Sequence, residues 1–286
     1  MTSPLDSALA AEPLTGGTHH TCWLVTREDG SRCVVKATPE APPGMFEAEA
    51  EGLAALRESG AMGTPLVLGY DDTYLAMEEL RPVPGLDDAL GFWEGAGRAL
   101  AALHKVRGQA FGWHRDNWLG PFRQVNTWTQ DPYEFYARHR ILRFLYEPEV
   151  KAVLDPAEIA VIERVCEELP QLVPPPSGPV LTHGDLWHRN IMAMPGGTPA
   201  VIDCAVSFNW PEVDLSMMLC DRGMAEGGGS QAQERFFAAY HEIHPPEPGW
   251  REHLELLNLR ELLVLIAAGH QEWALAPVRR LVRRYS

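Results

Sequence analysis

Paired cysteines, a basic face and long apolar runs are all missing from this sequence. Cysteine occurs five times in 286 residues, at Cys22, Cys33, Cys166, Cys204 and Cys220, an odd number with no C-x-x-C pair. That argues against a disulfide scaffold, and a reducing, cytoplasmic compartment is expected. Lys and Arg total 24 against 39 Asp and Glu, a formal net charge of −15. Such an acidic balance excludes the basic face that nucleic acid or an anionic membrane surface would require. The longest aliphatic stretch, "LLVLIAA" at 262–268, is far short of a membrane span. Residues 1–13, "MTSPLDSALAAEP", have neither a basic n-region nor an apolar run, so no signal peptide is expected. There is no internal repeat.

Apolar residues make up 45% of the chain, enough for a substantial core. At about 150 residues per domain, the length suggests two domains or one domain with two lobes. The first 80 residues read as β-rich. "HTCWLVT" (20–26) and "RCVVKA" (32–37) are strand-like and joined by a turn at Asp29-Gly30, a hairpin signal. "MFEAEAEGLAALRESG" (45–60) reads as a helix, and "PLVLGY" and "TYLAMEEL" as two further strands. "RPVPG" (81–85) is a connector, after which the chain turns mostly helical. "DDALGFWEGAGRALAALHKV" (87–106) begins at capping aspartates. "DPAEIAVIERVCEEL" (155–169) has Asp155 at the N-cap, Pro156 at N1 and Glu158 at N3, a strong start signal. "WREHLELLNLRELLVLIAAG" (250–269) reads as helical throughout. The expected fold is α+β and bilobal: a small antiparallel sheet lobe with one main helix over residues 1–80, then a larger α-helical lobe over 81–286. A cleft between lobes is a usual place for a ligand.

One stretch concentrates polar groups beside the core, "THGDLWHRNIM" at 182–192. Asp185 precedes Asn190 by five residues, and Asp203 follows Asn190 by thirteen. If "VLTH" and "PAVID" pair as neighbouring strands, Asp203 returns beside the 185–190 loop. One carboxylate and one amide oxygen, Asp203 and Asn190, then suit Mg²⁺ as hard ligands. Asp185 is left to accept a proton from a substrate hydroxyl. That is the layout phosphoryl transfer from ATP needs. The H-x-D-x-x-x-x-N spacing follows the kinase catalytic loop, with "HGD" in place of "HRD". His183 is expected to brace the loop backbone rather than move protons. Lys36, on the third strand, could hold phosphates while pairing with a helix glutamate, for which Glu47, Glu49 and Glu51 are candidates. Gly16 and Gly17 in "TGGTHH" could offer backbone N–H groups to the phosphates. Residues 77–80 fall at the interlobe hinge, where backbone groups of Glu78 and Leu80 could meet an adenine edge. Trp187, with Asp116 and Asn117, could form an acceptor pocket, since aromatic faces suit sugar rings and Asp or Asn suits hydroxyls. The alternative is that these residues pack a stiff wall.

The chain resembles the fructosamine (ketosamine) kinases, within the protein-kinase-like, aminoglycoside-phosphotransferase-like fold. The resemblance covers about residues 14–220 and rests on "GGTHH", "VVKA", "MFEAEAEGLAAL", "FGWHRDNWLGPFRQVNTW", "THGDLWHRN" and "EVDLSMM". It implies ATP-dependent phosphorylation of the sugar 3-hydroxyl of a ketoamine adduct, free or on a glycated protein, and a role in deglycation. It selects Glu49 as the partner of Lys36 and implies that Asp214 braces the catalytic loop.

Departures from the family pattern are local. His188 and Arg189 replace a usual Ser-Gly pair, which makes His188 a candidate acceptor contact. Asp-Cys-Ala stands for Asp-Pro-Ala at 203–205, Thr18 for a cysteine found in some members, and Arg123 for a common proline. "LNLRELLVLIAAGHQEW" poorly matches the family's late motif. Three alternatives stand beside this reading. One is a kinase of an aminoglycoside, choline or another sugar-like acceptor. Another is a non-catalytic nucleotide-binding module. The third is a metallohydrolase using His183, Asp185 and His188.

Overall fold

Alternation along two strands decides how the N-terminal part is built. The computed structural model describes residues 8–14, 20–38, 40–83, 89–221 and 230–286. Its first strands are β1 (Ala10–Leu14), β2 (Thr21–Thr26), β3 (Arg32–Ala37), β4 (Val67–Tyr70) and β5 (Tyr74–Glu78). They form one antiparallel sheet in the order β1-β2-β3-β5-β4. Cys33 and Val35 of β3 and Tyr74 and Ala76 of β5 pack with Val25 on one face. Successive strand side chains point to opposite faces, so Val34, Lys36, Leu75 and Met77 share the other. There Leu75 and Met77 meet Phe46, Leu53 and Leu56 of helix α1 (Met45–Glu58). Each of these fully buried side chains contributes about 1.5–3 kcal/mol, which holds α1 to the sheet. Lys36 is carried to the same face and aims at α1.

The strands expected at 20–26 and 32–37 are present within a residue, and β1 before them makes the Lys36 strand the third. The Asp29-Gly30 turn has Gly30 at φ +81 and the Asp29 carboxylate accepting from Ser31 N. Gly16, Gly17 and Thr18 of the expected phosphate loop lie outside the described residues.

The remainder is dominated by helices. They are α2 (Leu90–Leu103), α3 (Pro132–Tyr136), α4 (Arg143–Leu145), α5 (Pro148–Val153), α6 (Pro156–Leu172), α7 (Glu212–Cys220), α8 (Ser230–His241), α9 (Trp250–Leu257), α10 (Leu259–Ala267) and α11 (Gln271–Tyr285). Three short hairpin-like pairs interrupt them: β6 (Asn117–Leu119) with β7 (Phe122–Gln124), β9 (Ile191–Ala193) with β10 (Pro199–Val201), and β8 (Val180–Thr182) with β11 (Ser207–Asn209). One core, built on Phe135, Phe144, Trp210 and Leu263, lies within the helical part. A second, with Trp93, Leu100, Leu186 and Phe236, runs on into α1 and the sheet. The 182–192 segment is therefore seated, through Leu186 and Ile191, on a core shared by both lobes. Among the described residues no helix is long and apolar enough to cross a membrane.

Three local expectations are corrected. "VLT" does not pair with "PAV" but with β11; the two short apolar runs flanking the "PGGT" turn do form the small hairpin their pattern predicts, β9 with β10. Asp203 still returns beside the loop, because the chain between β10 and β11 crosses it. The helix expected over 87–106 begins at Leu90 with no side-chain cap, and Asp87 and Asp88 lie outside the described residues. The pattern over 250–269 is two helices that meet at Asn258. The Asp155 capping box is formed as expected, with Asp155 accepting from Ala157 N and Glu158 N while Glu158 accepts from Asp155 N.

Candidate active site

Strand β8 delivers the chain into His183, Gly184 and Asp185. Gly184 has φ +84, and a Cβ there would stand 2.1 Å from the Ala205 carbonyl oxygen. Only glycine fits so close a crossing of the loop over the 203–206 segment. The buried Asp214 carboxylate accepts the backbone N–H groups of His183 and Gly184, both at 2.8 Å. His104 adds a third contact at 3.3 Å and reaches Tyr240 Oη at 2.9 Å with its other nitrogen. Burial lowers the His104 pKa against the pull of Asp214, so this contact is a hydrogen bond rather than an ion pair. Asp214 itself, opposed by burial, is held below the usual carboxylate range by His104, His183 and the Gly184 N–H.

His183 links the two halves of the site. Its Nδ1 accepts from Asp185 N at 3.2 Å, and its Nε2 faces the Ile202 carbonyl at 2.9 Å. The carbonyl requires a proton on Nε2 and the amide requires a bare Nδ1, so the ring is neutral. Burial, which lowers its pKa, agrees.

Lys36 stands between two carboxylates. Its Nζ is 2.8 Å from Glu49 Oε2 and 3.1 Å from Asp203 Oδ1. Of the three glutamates in the first half of α1, Glu49 lies on the buried stripe with Phe46, Ala50 and Leu53. Glu47 and Glu51 face outward and pair with Arg115. One ammonium for two carboxylates leaves a net negative charge. Burial opposes the charged form of Lys36, but Asp203 and Glu49 overcome it and raise its pKa. Burial lifts Glu49 to about 7 with help from Asp203 and against Lys36. Asp203, also opposed by burial, is held low by Lys36. Asp203 sits at φ +56, the sole non-glycine at positive φ among the described residues. Such a conformation costs on the order of 1–3 kcal/mol and is typical of functional sites. Behind it Cys204 packs on α1, where a Cβ on Gly52 would meet its Sγ at 2.7 Å. That contact ties the 203–204 segment to the helix bearing Glu49.

Asp185 is half-buried, and Asn190 Nδ2 donates to its carbonyl at 2.8 Å and to Oδ2 at 3.2 Å. Burial pushes the Asp185 carboxyl up, Glu261 and Asp203 add to this, and Arg260 opposes it; a divalent cation at Asn190 and Asp203 would draw it back toward the ionised form. With the Asn190 amide protons turned to Asp185, its Oδ1 is the atom left for a cation. An amide oxygen with the 41%-exposed Asp203 carboxylate suits a hard divalent ion that also binds phosphates. Among the described residues no three His, Cys, Asp or Glu side chains cluster as a metal site, which disfavours the metallohydrolase.

The other expected residues divide. Trp187 is half-buried, with the Arg189 guanidinium 5.5 Å from its ring. His188 is fixed by Asp221, whose Oδ2 takes the His188 backbone N–H at 2.8 Å and meets Nδ1 at 2.6 Å. Asp116 is committed to Asn126 N at 2.9 Å and Arg123 at 2.7 Å. Asn117 is buried, donating to the Val206 carbonyl at 2.7 Å and accepting from Gln124 at 3.0 Å. The structure thus turns Asn117 into the wall behind the site and not toward an open pocket. Glu78 ends β5 and donates its N–H to the Leu66 carbonyl. Leu80 is buried, and Arg81 beside it exchanges two backbone hydrogen bonds with Ala193. Sequence reasoning missed His104, Asp221 and Arg260. Arg260 Nη2 reaches the Gly184 carbonyl at 2.8 Å. No local signal marks any of the three.

The family described as fructosamine kinase matches residues 4–279. A Synechocystis protein assigned as a ketoamine kinase is 32% identical over 84% of this chain and 79% of its own length. A chloroplastic protein-ribulosamine 3-kinase of Oryza sativa subsp. japonica is 30% identical over 90% of this chain and 74% of its own. Among solved structures, a Thermobifida fusca protein assigned as a fructosamine-3-kinase superposes with a TM-score of 0.83 at 31% identity, covering 97% of this chain and 94% of the other. An aminoglycoside phosphotransferase, 18% identical over 98% of this chain and 96% of its own, shares the fold with a TM-score of 0.65.

Proposed function

Because the chain belongs to the fructosamine kinase family, we propose that it is an ATP-dependent ketoamine 3-kinase, moving the γ-phosphoryl group of ATP to the 3-hydroxyl of a sugar–amine adduct. Its relatives are named ketoamine kinase and protein-ribulosamine 3-kinase. The observation that carries the reading is that Lys36 pairs with Asp203 and Asn190 with Asp185, while the Ile202 N–H donates to the Asn190 carbonyl and so joins the two segments.

The proposed division of labour follows the geometry. Residues 1–80 hold the nucleotide and 81–286 the acceptor. Lys36, braced by Glu49, pairs with ATP phosphate oxygens, and backbone groups at Glu78 and Leu80 meet the adenine edge. Gly16 and Gly17 are assigned to the phosphates from sequence alone. Asn190 Oδ1 and Asp203 would hold Mg²⁺, which neutralises phosphate charge when bound. Asp185 orients the 3-hydroxyl and accepts its proton as the oxygen–phosphorus bond forms and the β–γ bridge of ATP breaks to release ADP. Trp187 offers an aromatic face to the sugar. The compartment we infer is the cytoplasm. The 3-phosphate makes the adduct break down, so the proposed role is deglycation.

The test is a panel of fructosyl- and ribulosyl-amines against aminoglycosides and choline, scored by ATP consumption with Asp185→Ala as control. Ketoamine-dependent turnover is expected, reduced on the order of 100-fold or more in the variant. Turnover confined to aminoglycosides or choline would overturn the acceptor, and near-normal turnover in Asp185→Ala would overturn the assignment of the base.

A further inference from the structure

The nucleotide site proposed above is shared between two parts of the chain, and the present inference rests on that reading. Lys36 and Glu49 come from the sheet and α1, and Asp203 from the helical part. Inside the cleft Lys36 Nζ spans the two, reaching Asp203 Oδ1 at 3.1 Å. Phosphate oxygens that pair with Lys36 compete with that contact. Contacts outside the cleft must then keep the two parts together while the nucleotide binds.

Helix α1 runs along the junction and is tied to the helical part differently along its length. Just past its C-terminal end the attachment is backbone. Gly63 N–H donates to the Pro199 carbonyl at 3.2 Å, and Val201 N–H to the Gly63 carbonyl at 2.8 Å. At its middle the attachment is close packing: a Cβ on Gly52 would stand 2.7 Å from Cys204 Sγ and 3.1 Å from Val206 Cγ2. In its N-terminal half the attachment is ionic. Arg115 Nη2 is 2.9 Å from Glu47 Oε2, and Nη1 is 3.0 Å from Glu51 Oε1. His114 Nε2 lies 3.1 Å from Glu51 Oε2. Glu47 and Glu51 are one turn apart, so a single planar guanidinium can span them with separate nitrogens. The Arg115 carbonyl accepts from Asn126 Nδ2 at 3.2 Å, and Trp113 N donates to the Asn126 carbonyl at 2.9 Å, so the arginine stands on a fixed base. Glu49 is two residues from each of these glutamates, about 200° around the helix, and faces Lys36. Arg115 grips α1 from outside and Lys36 grips it from inside.

We propose that Arg115 is a positioning residue for the nucleotide: it latches the N-terminal half of α1 to the helical part and so holds the Lys36–Glu49 pair at Asp203. The helix shares its core with the sheet through Phe46, Leu75 and Met77, so the lysine strand follows the helix. Without the latch, the backbone ties at Gly63 act as a hinge and the N-terminal half of α1 lifts. ATP then binds only the closed fraction of molecules, which raises the apparent Kd in proportion and leaves turnover at saturating ATP little changed. Partly exposed ion pairs contribute little to global stability, so the effect is a shift of population and not a loss of fold.

The test is calorimetric titration of MgATP into wild type, Arg115→Gln, Arg115→Lys, the double variant Glu47→Gln/Glu51→Gln, and the triple that adds Arg115→Gln to that double. In Arg115→Gln and in the double variant the Kd is expected to rise about three- to ten-fold. The triple should bind no more weakly than the double, since the arginine acts through the two glutamates. Arg115→Lys keeps the charge without the fork and should fall between wild type and Arg115→Gln. Urea midpoints should stay close to wild type. With a ketoamine acceptor the KM for ATP should rise while kcat and the acceptor KM hold within about two-fold. Unchanged MgATP affinity in Arg115→Gln, or a loss that tracks a fall in the urea midpoint, would overturn this inference alone. So would a double variant that binds as wild type or more tightly with a further loss in the triple, which would place Arg115 on the nucleotide itself. A wild-type protein that binds no MgATP would overturn the nucleotide reading and this inference with it.

Discussion

Arg260 donates to the carbonyl oxygen of Gly184 at 2.8 Å and, from the same nitrogen, to Gln124 Oε1 at 2.8 Å. The residue is only 2% exposed. It joins helix α10 to the 183–185 loop and to strand β7, holding the loop by a carbonyl while Asp214 holds it by two N–H groups. Replacing it by Met would leave two buried acceptors without a donor. Arg260→Met is expected to lose about 3–5 kcal/mol of stability. Urea unfolding measures that loss, and steady-state kinetics at saturating ATP should show a fall in kcat from the loosened loop.

Gly184→Ala tests the crossing of the two active-site segments. The added Cβ would sit 2.1 Å from the Ala205 carbonyl at a backbone angle of φ +84, so backbone must move. A loss of more than about 2 kcal/mol is expected, from overpacking and an unfavourable φ together. Turnover should fall even in the fraction that remains folded, since Asp185 is the next residue. Denaturant titration followed by activity per folded molecule separates the two effects.

Lys36 allows stability and activity to be pulled apart. Lys36→Met strands Glu49 and Asp203 as neighbouring carboxylates and should destabilise by about 3–5 kcal/mol. Lys36→Met with Glu49→Leu removes the buried pair together and should recover much of that loss without recovering turnover. The unfolding free energies of the two singles and the double, read as a cycle, give the coupling. Full activity in the double variant would contradict the phosphate role of Lys36.

Glu212 gives a pH prediction. Burial pushes its carboxyl from 4.5 up to about 7, and its Oε2 makes no hydrogen bond. A carboxyl with a folded pKa above its unfolded value binds more protons when folded. Its contribution is fully present below pH 4.5 and is lost as pH rises through about 7. Glu212→Gln removes the titration, so the variant should gain on wild type as pH increases. The expected gain is about 1–3 kcal/mol at pH 8, shrinking toward pH 5. Urea midpoints at the two pH values measure it.

Much of the frame was legible in the sequence because it is written in neighbours. The alternation of Cys33, Val34, Val35 and Lys36 sets the face on which the lysine stands. Asp155 with Glu158 marks the start of α6, whereas Glu49 stands apart from Glu47 and Glu51 in the sequence only through the family resemblance. The spacing from Asp185 to Asn190 needs only one turn of a loop to close. Strand partners were harder. Three-residue strands such as "VLT" and "PAV" carry no register signal of their own, so β8 was assigned the wrong neighbour.

What the sequence by itself determined was composition, period and local spacing: a sheet lobe followed by helices, a lysine on the third strand, and two aspartates and an asparagine at the spacing of a kinase catalytic loop. The tertiary structure decided which distant groups complete them. Lys36 meets Asp203 across 167 residues, Arg260 meets Gln124 across 136, and Arg260 meets Gly184 across 76. It also turned Asn117 inward to Val206 and fixed His188 on Asp221. Local conformation follows from adjacent residues, whereas a buried hydrogen bond forms only where the packed core brings a donor and an acceptor from remote segments within about 3 Å.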